Sequence, residues 1–202
     1  MLVAIPDDSD PAAMIGVADV ALDAWRAVGP QLAAKPGASV LVQGGNAQAI
    51  ALYAAAIAVT AGAGVVDYVD DDPVRLATAA RFGANAIPRP WEPERRYDIV
   101  VEGDGREPAR LVEAIRATVP QGDLTTLAIH FKPVELPMTE LYSSGINLTF
   151  SKGNIRTLIE PVLHLCSHCH FDPTVVDTKY YDFDEAPEAW VDGAFRIAAV
   201  RS

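Results

Sequence analysis

Ser39-Val40-Leu41-Val42-Gln43-Gly44-Gly45-Asn46 opens the stretch that decides the fold, which runs on to Arg75. An alanine-rich segment follows from about Ala47 to Ala61, then a second apolar run from Val65 to Val69 that ends at Asp70. The order is strand, tight glycine turn, helix, strand, acid, which is that of a dinucleotide-binding βαβ unit. Each part has a physical job. Glycines let the backbone come close to a pyrophosphate. The helix N-terminus offers that anion unpaired N–H groups and the positive end of a dipole. An acid after the second strand accepts hydrogen bonds from a ribose diol.

The turn departs from the usual G-x-G-x-x-G spacing. Gly44 is the first motif glycine, with Gly45 beside it, and Asn46 stands where the second is expected. Asparagine tolerates positive φ better than other non-glycine residues, so the turn survives the change. Ala51 supplies the small residue for helix–strand packing if the turn carries two extra residues. Asp70 bears on the choice of cofactor: its carboxylate suits the ribose hydroxyls of NAD and repels the 2′-phosphate of NADP. Asp71 and Asp72 add to that repulsion, and Arg75 is the nearby cation. Two plainer readings stand beside this one. The acids cap a helix that starts at Pro73, and a doubly wound domain can keep such a turn without binding anything.

Working outward, the 202 residues carry 16 Lys and Arg against 27 Asp and Glu, a net charge of −11. That balance excludes nucleic acid and anionic membrane surfaces as partners, because phosphate repels an acidic face. Half the residues are hydrophobic, enough for a sizeable core. No apolar stretch reaches membrane-spanning length. Met1 to Asp8 has neither the basic region nor the apolar run of a secretory leader. Cys166 and Cys169 make no disulfide framework, so the expected compartment is the cytosol.

Strands and helices alternate along the chain. Asp10-Pro11 starts a helix that runs to Val28 and stops at Gly29-Pro30. After Asp70, Asp72-Pro73 starts a helix to about Phe82. Ala86-Ile87 is a short strand and Tyr97 to Glu102 a longer one. Glu107 to Val119 is a helix and Leu124 to Phe131 a strand. A loop begins at Leu141, then come a strand at Ile146–Phe150 and a helix from Ile155 to about Ser167. The end holds a strand at Val175–Tyr180, a short helix at Asp184–Val191 capped by Asp184, and a strand at Arg196–Val200. Alternation with near-continuous apolar strands predicts an α/β fold, a doubly wound, Rossmann-like parallel sheet with helices on both faces. The division expected is a helical linker over 1–30, a dinucleotide-binding domain over 31–170 and an appendage over 171–202.

His164, Cys166, His168, Cys169 and His170 fall within seven residues, and the last five positions match the C-x-x-C-H haem-attachment pattern. Haem attachment belongs to exported proteins, and a zinc site needs four ligands in tetrahedral geometry. The cluster reads as a helix C-terminus with histidines near the negative dipole end, and no metal is assigned. No Ser–His–Asp, paired-carboxylate or P-loop arrangement is present, so no catalytic residue is assigned. The acids from Asp182 to Glu188 near Trp190 read as a solvated face.

With these residues in hand, the chain resembles the cofactor domain of the zinc-type medium-chain alcohol dehydrogenases. The resemblance lies in Val40–Gly45, Ile50–Ala54, Val66–Leu76, Phe82-Gly83-Ala84 and Tyr97–Glu102, and in the tail at Leu163–Leu165, Phe171-Asp172-Pro173 and Asp184–Trp190. It implies an NAD-binding oxidoreductase portion that serves hydride transfer between a nicotinamide and an alcohol or carbonyl compound. Gly44, Gly45 and Asn46 would sit under the pyrophosphate, with Asp70 and Arg75 at the adenosine ribose. Gly103 and the end of the Leu124–Phe131 strand would line the nicotinamide side. In the family the zinc ligands and proton relay belong to an N-terminal catalytic domain, which Met1 would follow. The resemblance therefore implies a chain inactive by itself, a separate catalytic domain or subunit as partner, and a homodimer paired through the edge strand Ile146–Phe150. The alternatives are a non-catalytic nucleotide-binding module and a structural remnant.

Overall fold

The computed structural model describes residues 3–6, 9–169, 171–194 and 196–201, and the side chain at position 155 is also outside it. Met1, Leu2, Asp7 and Asp8, on which the leader and domain-junction readings rest, and His170 of the cysteine cluster lie outside the described residues.

Six parallel strands form the main sheet in the order β3-β2-β1-β4-β5-β6. They are β1 (Ser39–Gln43), β2 (Val65–Asp70), β3 (Asn85–Pro88), β4 (Tyr97–Glu102), β5 (Thr118–Thr126) and β6 (Asn147–Phe150). The helices are α1 (Val20–Ala34), α2 (Gln48–Thr60), α3 (Pro73–Arg81), α4 (Pro108–Ala117), α5 (Met138–Ser144), α6 (Ile159–His168) and α7 (Ala186–Val191). The strand order reverses between β1 and β4, and this is the switch point where doubly wound sheets open a crevice at the strands' carboxyl ends. In register, Val42 of β1 faces Tyr68 of β2 on one side and Val101 of β4 on the other.

Alternation along the strands builds two cores. Val40, Val42, Val66, Tyr68, Ile99 and Val101 face one way and pack with α1, α2, α3 and α6. Leu41, Val69, Val100 and Leu124 face the other way and pack with α4 and with Tyr97 at the start of β4. Helix α2 is buried on nearly every side, from Ala51 through Ala58, as expected of a helix that is apolar all round. Its alanines let α1 and the sheet come close.

Several boundaries differ from the sequence expectations, each for a local reason. The first helix does not run from Pro11 to Val28. Asp10 instead accepts the Ala12 N–H at 2.9 Å, ahead of a 3₁₀ turn at Ala13–Val17 that has no side-chain cap. α1 then passes through Pro30 to Ala34. Pro30 cannot donate to the Arg26 carbonyl, and the Gln31 side-chain amide does so at 3.2 Å. α4 ends at Ala117 rather than Val119, and β5 runs Thr118–Thr126 rather than Leu124–Phe131. Its ladders with β4 and β6 both finish at Thr126, opposite Glu102 and Phe150. Met138–Ser144 is helical where a loop is expected at Leu141, and it stops at Gly145 with φ +62°. Val175 closes a 3₁₀ turn capped by Asp172 at the Thr174 N–H, so the strand β7 begins only at Lys179. The last helix is preceded by a 3₁₀ turn at Phe183–Glu185, in which Glu185 accepts the Asp182 N–H at 3.2 Å.

β7 (Lys179–Asp182) and β8 (Ile197–Val200) form a separate parallel pair. Tyr53 of α2 fastens this tail to the main core. Its hydroxyl donates to the Pro173 carbonyl at 2.6 Å, Arg196 donates to it, and its ring meets Phe171 edge-on at 6.2 Å. Among the described residues, no helix is long and apolar enough to cross a membrane.

Candidate functional site

The crevice at the switch point is walled by the ends of β2, β1 and β4. At the centre, β1 leaves the sheet through Gly44, whose N–H donates to the Val69 carbonyl at 2.8 Å. Gly45 follows at φ +121°, a conformation that favours glycine. Gln48 sits at φ +41° at the first turn of α2, an uncommon backbone for a residue with a side chain. The Ala47 N–H donates to the Gly103 carbonyl at 2.9 Å and the Gln48 N–H to the Gly45 carbonyl at 3.1 Å. The amides of Gly45 and Asn46 meet no acceptor among the described residues, and no side chain caps α2. These two N–H groups, with the likewise unpartnered N–H of Ala49, sit at the positive end of a thirteen-residue helix.

Ala51, the residue expected to pack here, lies under this turn together with Gly103, which the resemblance puts on the nicotinamide side. A Cβ on Gly103 would press on the Gln43 carbonyl at 2.5 Å and on the Ala47 and Ala51 Cβ atoms at 3.2 and 3.3 Å. Ala51 is fully buried there. Asn46 does not face a ligand with its side chain, since its Oδ1 accepts the Gly105 N–H at 2.8 Å and binds the β4 loop to the β1 turn.

Asp70 and Arg75 are brought together at the β2 end. The Asp70 side chain is 0% exposed. It accepts from Arg75 Nε and Nη2, both at 2.7 Å, from the Asp71 and Asp72 N–H groups at 2.7 and 3.0 Å, and from Tyr68 Oη at 2.8 Å. Burial by itself pushes the carboxyl up. The hydrogen bonds from Arg75, the Asp72 N–H and Tyr68 outweigh it and hold the group at about 2. A Cβ on Gly44 would strike Asp70 Oδ2 and the Tyr68 hydroxyl, so this glycine makes room for the chain's own acid. Asp72 is the N-cap expected of it, accepting the Val74 N–H at 2.8 Å and the Arg75 N–H at 3.1 Å.

Residues that the sequence reading did not single out complete the crevice. Asp104, 2% exposed, lies against Gly45 and is held in a two-point pair by Arg106 at 2.7 and 2.8 Å. Burial raises its carboxyl, but Arg106 and then Arg89 bring it below its ordinary value. Arg106 also reaches Asp71 at 2.8 Å. Beneath them Glu113 collects Gln43 Nε2 at 2.8 Å, Arg89 Nη1 at 3.0 Å and Arg110 Nη1 at 3.1 Å. The signal available in sequence was Gly103-Asp104-Gly105-Arg106, opposite charges inside a glycine turn at a predicted strand end.

On the far side, buried Glu102 accepts the Asp104 N–H at 2.7 Å and the Thr126 hydroxyl, and meets His130 Nε2 at 3.0 Å. The end of β5 lines a cavity of about 770 Å³ with Asp23, Arg26, Ile50, Thr126, Ile129 and Ser151. At the cysteine cluster the His164 and His168 rings stack at 4.2 Å, and burial pushes the Cys166 thiol up to about 11. Among the described residues no group of three or more His, Cys, Asp or Glu is placed to hold a metal.

The residues present fit a dinucleotide. The free amides of Gly45 and Asn46 suit a pyrophosphate, and the two carboxylates that lie against the turn, Asp70 and Asp104, are paired with Arg75 and Arg106.

No protein-family model matches the chain, and no curated protein does. Solved structures do. Alcohol dehydrogenase TADH from Thermus sp. ATN1 superposes with a TM-score of 0.80 at 24% identity, over 98% of this chain and 61% of that one. The 2R,3R-butanediol dehydrogenase of Bacillus subtilis gives 0.79 at 22%, over 98% and 60%. An alcohol dehydrogenase (rspB) of E. coli CFT073, solved with NADH, gives 0.79 at 18%, over 96% and 60%. The chain thus spans about three fifths of the length of these structures. At such identities the likeness is one of fold: the Rossmann-like sheet expected from the sequence is shared with these alcohol dehydrogenase structures.

Proposed function

We propose that this chain is the nicotinamide-dinucleotide-holding portion of an alcohol dehydrogenase-like oxidoreductase. One observation carries the reading: at the switch point, α2 begins with no side-chain cap and leaves the Gly45 and Asn46 amides to a ligand. Gly44, Gly45 and Asn46 hold the pyrophosphate in this reading, Ala51 and Gly103 pack beneath it, and the adenosine ribose lies at the Asp70–Arg75 end. The acids after β2 favour NAD over NADP. The NADH in the E. coli neighbour and the strand order at the crevice support the same assignment. A bound nicotinamide supplies the hydride chemistry, and the protein supplies binding and orientation.

The resemblance assigns polarisation of the substrate oxygen to a zinc-bearing domain, so we propose no alcohol turnover by these 202 residues alone. The division at 1–30, 31–170 and 171–202 is retained for function, with β7 and β8 presented to that domain. The exposed edge β6 offers the pairing surface of a homodimer, and the cytosol is the compartment we propose.

Thermal unfolding with and without NADH tests the reading. At a hundredfold excess over Kd, ligand linkage adds about 2.7 kcal/mol, a rise of about 5–10 °C in Tm for a domain of this size. A second reading, a fold that binds nothing, is favoured by the ion pairs that already span the crevice at Asp71, Arg106 and Asp104. No shift with millimolar NADH or NADPH would decide for it.

A further inference from the structure

Four of the five connections in the main sheet carry a helix: β1 to β2 has α2, β2 to β3 has α3, β4 to β5 has α4 and β5 to β6 has α5. The fifth does not. From β3 to β4 the chain passes both β2 and β1, and it does so with residues 89–96 and no helix. A parallel crossover ordinarily takes a dozen or more residues and a helix. This strap packs Trp91 on the second core but leaves a cavity of about 640 Å³ against the sheet, lined by Asp67, Trp91, Glu92, Glu94, Arg95 and Tyr97. None of these residues belongs to the dinucleotide crevice.

Asp67 is the fixed group. Its side chain is 7% exposed. It accepts from Tyr97 Oη at 2.6 Å, Arg95 Nη2 at 2.7 Å and Asn85 Nδ2 at 2.8 Å. Burial pushes its carboxyl up, but these bonds outweigh it and hold the group below its ordinary value, so it is charged at neutral pH. The Arg95 guanidinium rests on Asp67 and lies 5.1 Å from the centre of the Tyr97 ring, yet its side chain is 47% exposed. The chain thus fills the head of its own cavity with a cation that solvent reaches. Glu92 and Glu94 have no partner among the described residues. Three carboxylates against one guanidinium leave two negative charges in excess around Trp91. Among the described residues no group of three or more His, Cys, Asp or Glu is placed to hold a metal, and aromatic walls suit an organic cation.

We infer that this cavity binds a small organic dication. A guanidinium or ammonium head takes the place of Arg95 on Asp67 and Tyr97, the carbon chain lies along Trp91, and the second charge meets Glu92 and Glu94. Arg95 moves out to solvent; an ion pair with so exposed a partner is weak, so the exchange costs little. The site is independent of the dinucleotide reading.

Isothermal titration calorimetry with agmatine, a guanidinium and an ammonium on one short carbon chain, tests this, with neutral butylurea as control. Wild type should bind agmatine at one site, and butylurea at least about tenfold more weakly, since hydrogen bonds to a charged group are lost. Arg95→Gln removes the resident cation and should bind agmatine about two- to fivefold more tightly. Asp67→Asn should bind about tenfold or more weakly. If circular dichroism shows D67N unfolded, R95Q and Trp91→Leu decide, the latter with a loss of about fivefold. The inference is overturned by absence of binding in both wild type and R95Q, by butylurea binding equally well, by R95Q binding no more tightly than wild type, or by a folded D67N that binds as wild type does. Displacement of agmatine by NADH would place it in the crevice and overturn the inference while leaving the dinucleotide reading standing.

Discussion

At the end of β1 the chain enters α2 through Gly44-Gly45-Asn46 with no side-chain cap and two amides unclaimed. At the end of β2 it enters α3 through Asp70-Asp71-Asp72, where Asp72 caps Val74 and Arg75 and Asp70 takes two further amides. These neighbouring βα turns face the same crevice. One satisfies its helix N-terminus with acids and is closed to an anion. The other forgoes a cap, at a cost of about 1 kcal/mol, and stays open. The first even shapes the second, because Gly44 must lack a Cβ where Asp70 and Tyr68 lie. Helices α1, α4, α5, α6 and α7 also start without a side-chain cap, so it is the place of the β1 turn at the switch point, with its glycines, that sets it apart.

The comparison breaks most sharply at Arg75. Arg75→Met would strand the buried Asp70 carboxylate, and removing one partner of a buried pair costs about 3–5 kcal/mol. Urea unfolding should show that loss. A loss under about 1 kcal/mol would mean that the β2 turn is held by Asp72 and the backbone instead. Acid sharpens the same point. Asp70 and Asp98 are both held at about 2, each against the opposing pull of burial, the first by Arg75 and the second by Lys35 and Ser39. A carboxyl depressed in the folded state contributes stability that is fully present above its unfolded value near 3.9. That contribution is lost as pH falls through the folded value. Stability should therefore decline from about pH 4 towards 2, and Asp70→Asn, although less stable at neutral pH, should show a shallower acid limb.

A smaller effect separates cap from cradle. Asp72→Ala removes the α3 cap and should cost about 1 kcal/mol, a drop of about 2–4 °C in Tm. NADH affinity should change little, because Asp72 caps α3 and touches neither free amide of the β1 turn.

Much of this was legible in sequence where the cause is local. β1 is found at Ser39–Gln43 and β2 at Val65–Asp70, because short valine-rich runs bounded by glycine leave few alternatives. Asp72-Pro73 is found as a cap because Pro fixes the first helical position and Asp accepts the free amides. The misses are contacts between distant segments. Pro30 reads as a stop because nothing local announces that the Gln31 amide will serve the orphaned Arg26 carbonyl. The Asp71–Arg106–Asp104 bridge joins the loops after β2 and β4, two strands separated by β1. Glu113 gathers Gln43 and Arg89 from distant segments, beside Arg110 of its own helix. Spacing along the chain carries no signal for such meetings, although the charged glycine turn at Asp104 and Arg106 gave a partial one.

The least disruptive change tests the open turn most directly. Asn46→Asp keeps an oxygen where Oδ1 accepts the Gly105 N–H, so the bond between the β1 turn and the β4 loop survives. A carboxylate near a helix N-terminus is favourable by about 0.3–1 kcal/mol, and it adds to the repulsion from Asp104, which offsets part of that gain. The net change in stability should stay within about 0.5 kcal/mol, as for substitutions that leave packing and hydrogen bonds intact. Binding should respond far more. A new negative charge beside the two free amides opposes a pyrophosphate at close range, where unit charges about 4 Å apart interact by about 4 kcal/mol near a protein surface. NADH should lose at least about a hundredfold in affinity while the Tm without ligand barely moves. A variant that unfolds would show that Asn46 is there for the turn. One that binds NADH as wild type does would show that no phosphate rests on it, and the contrast between the two turns would then be one of capping chemistry alone.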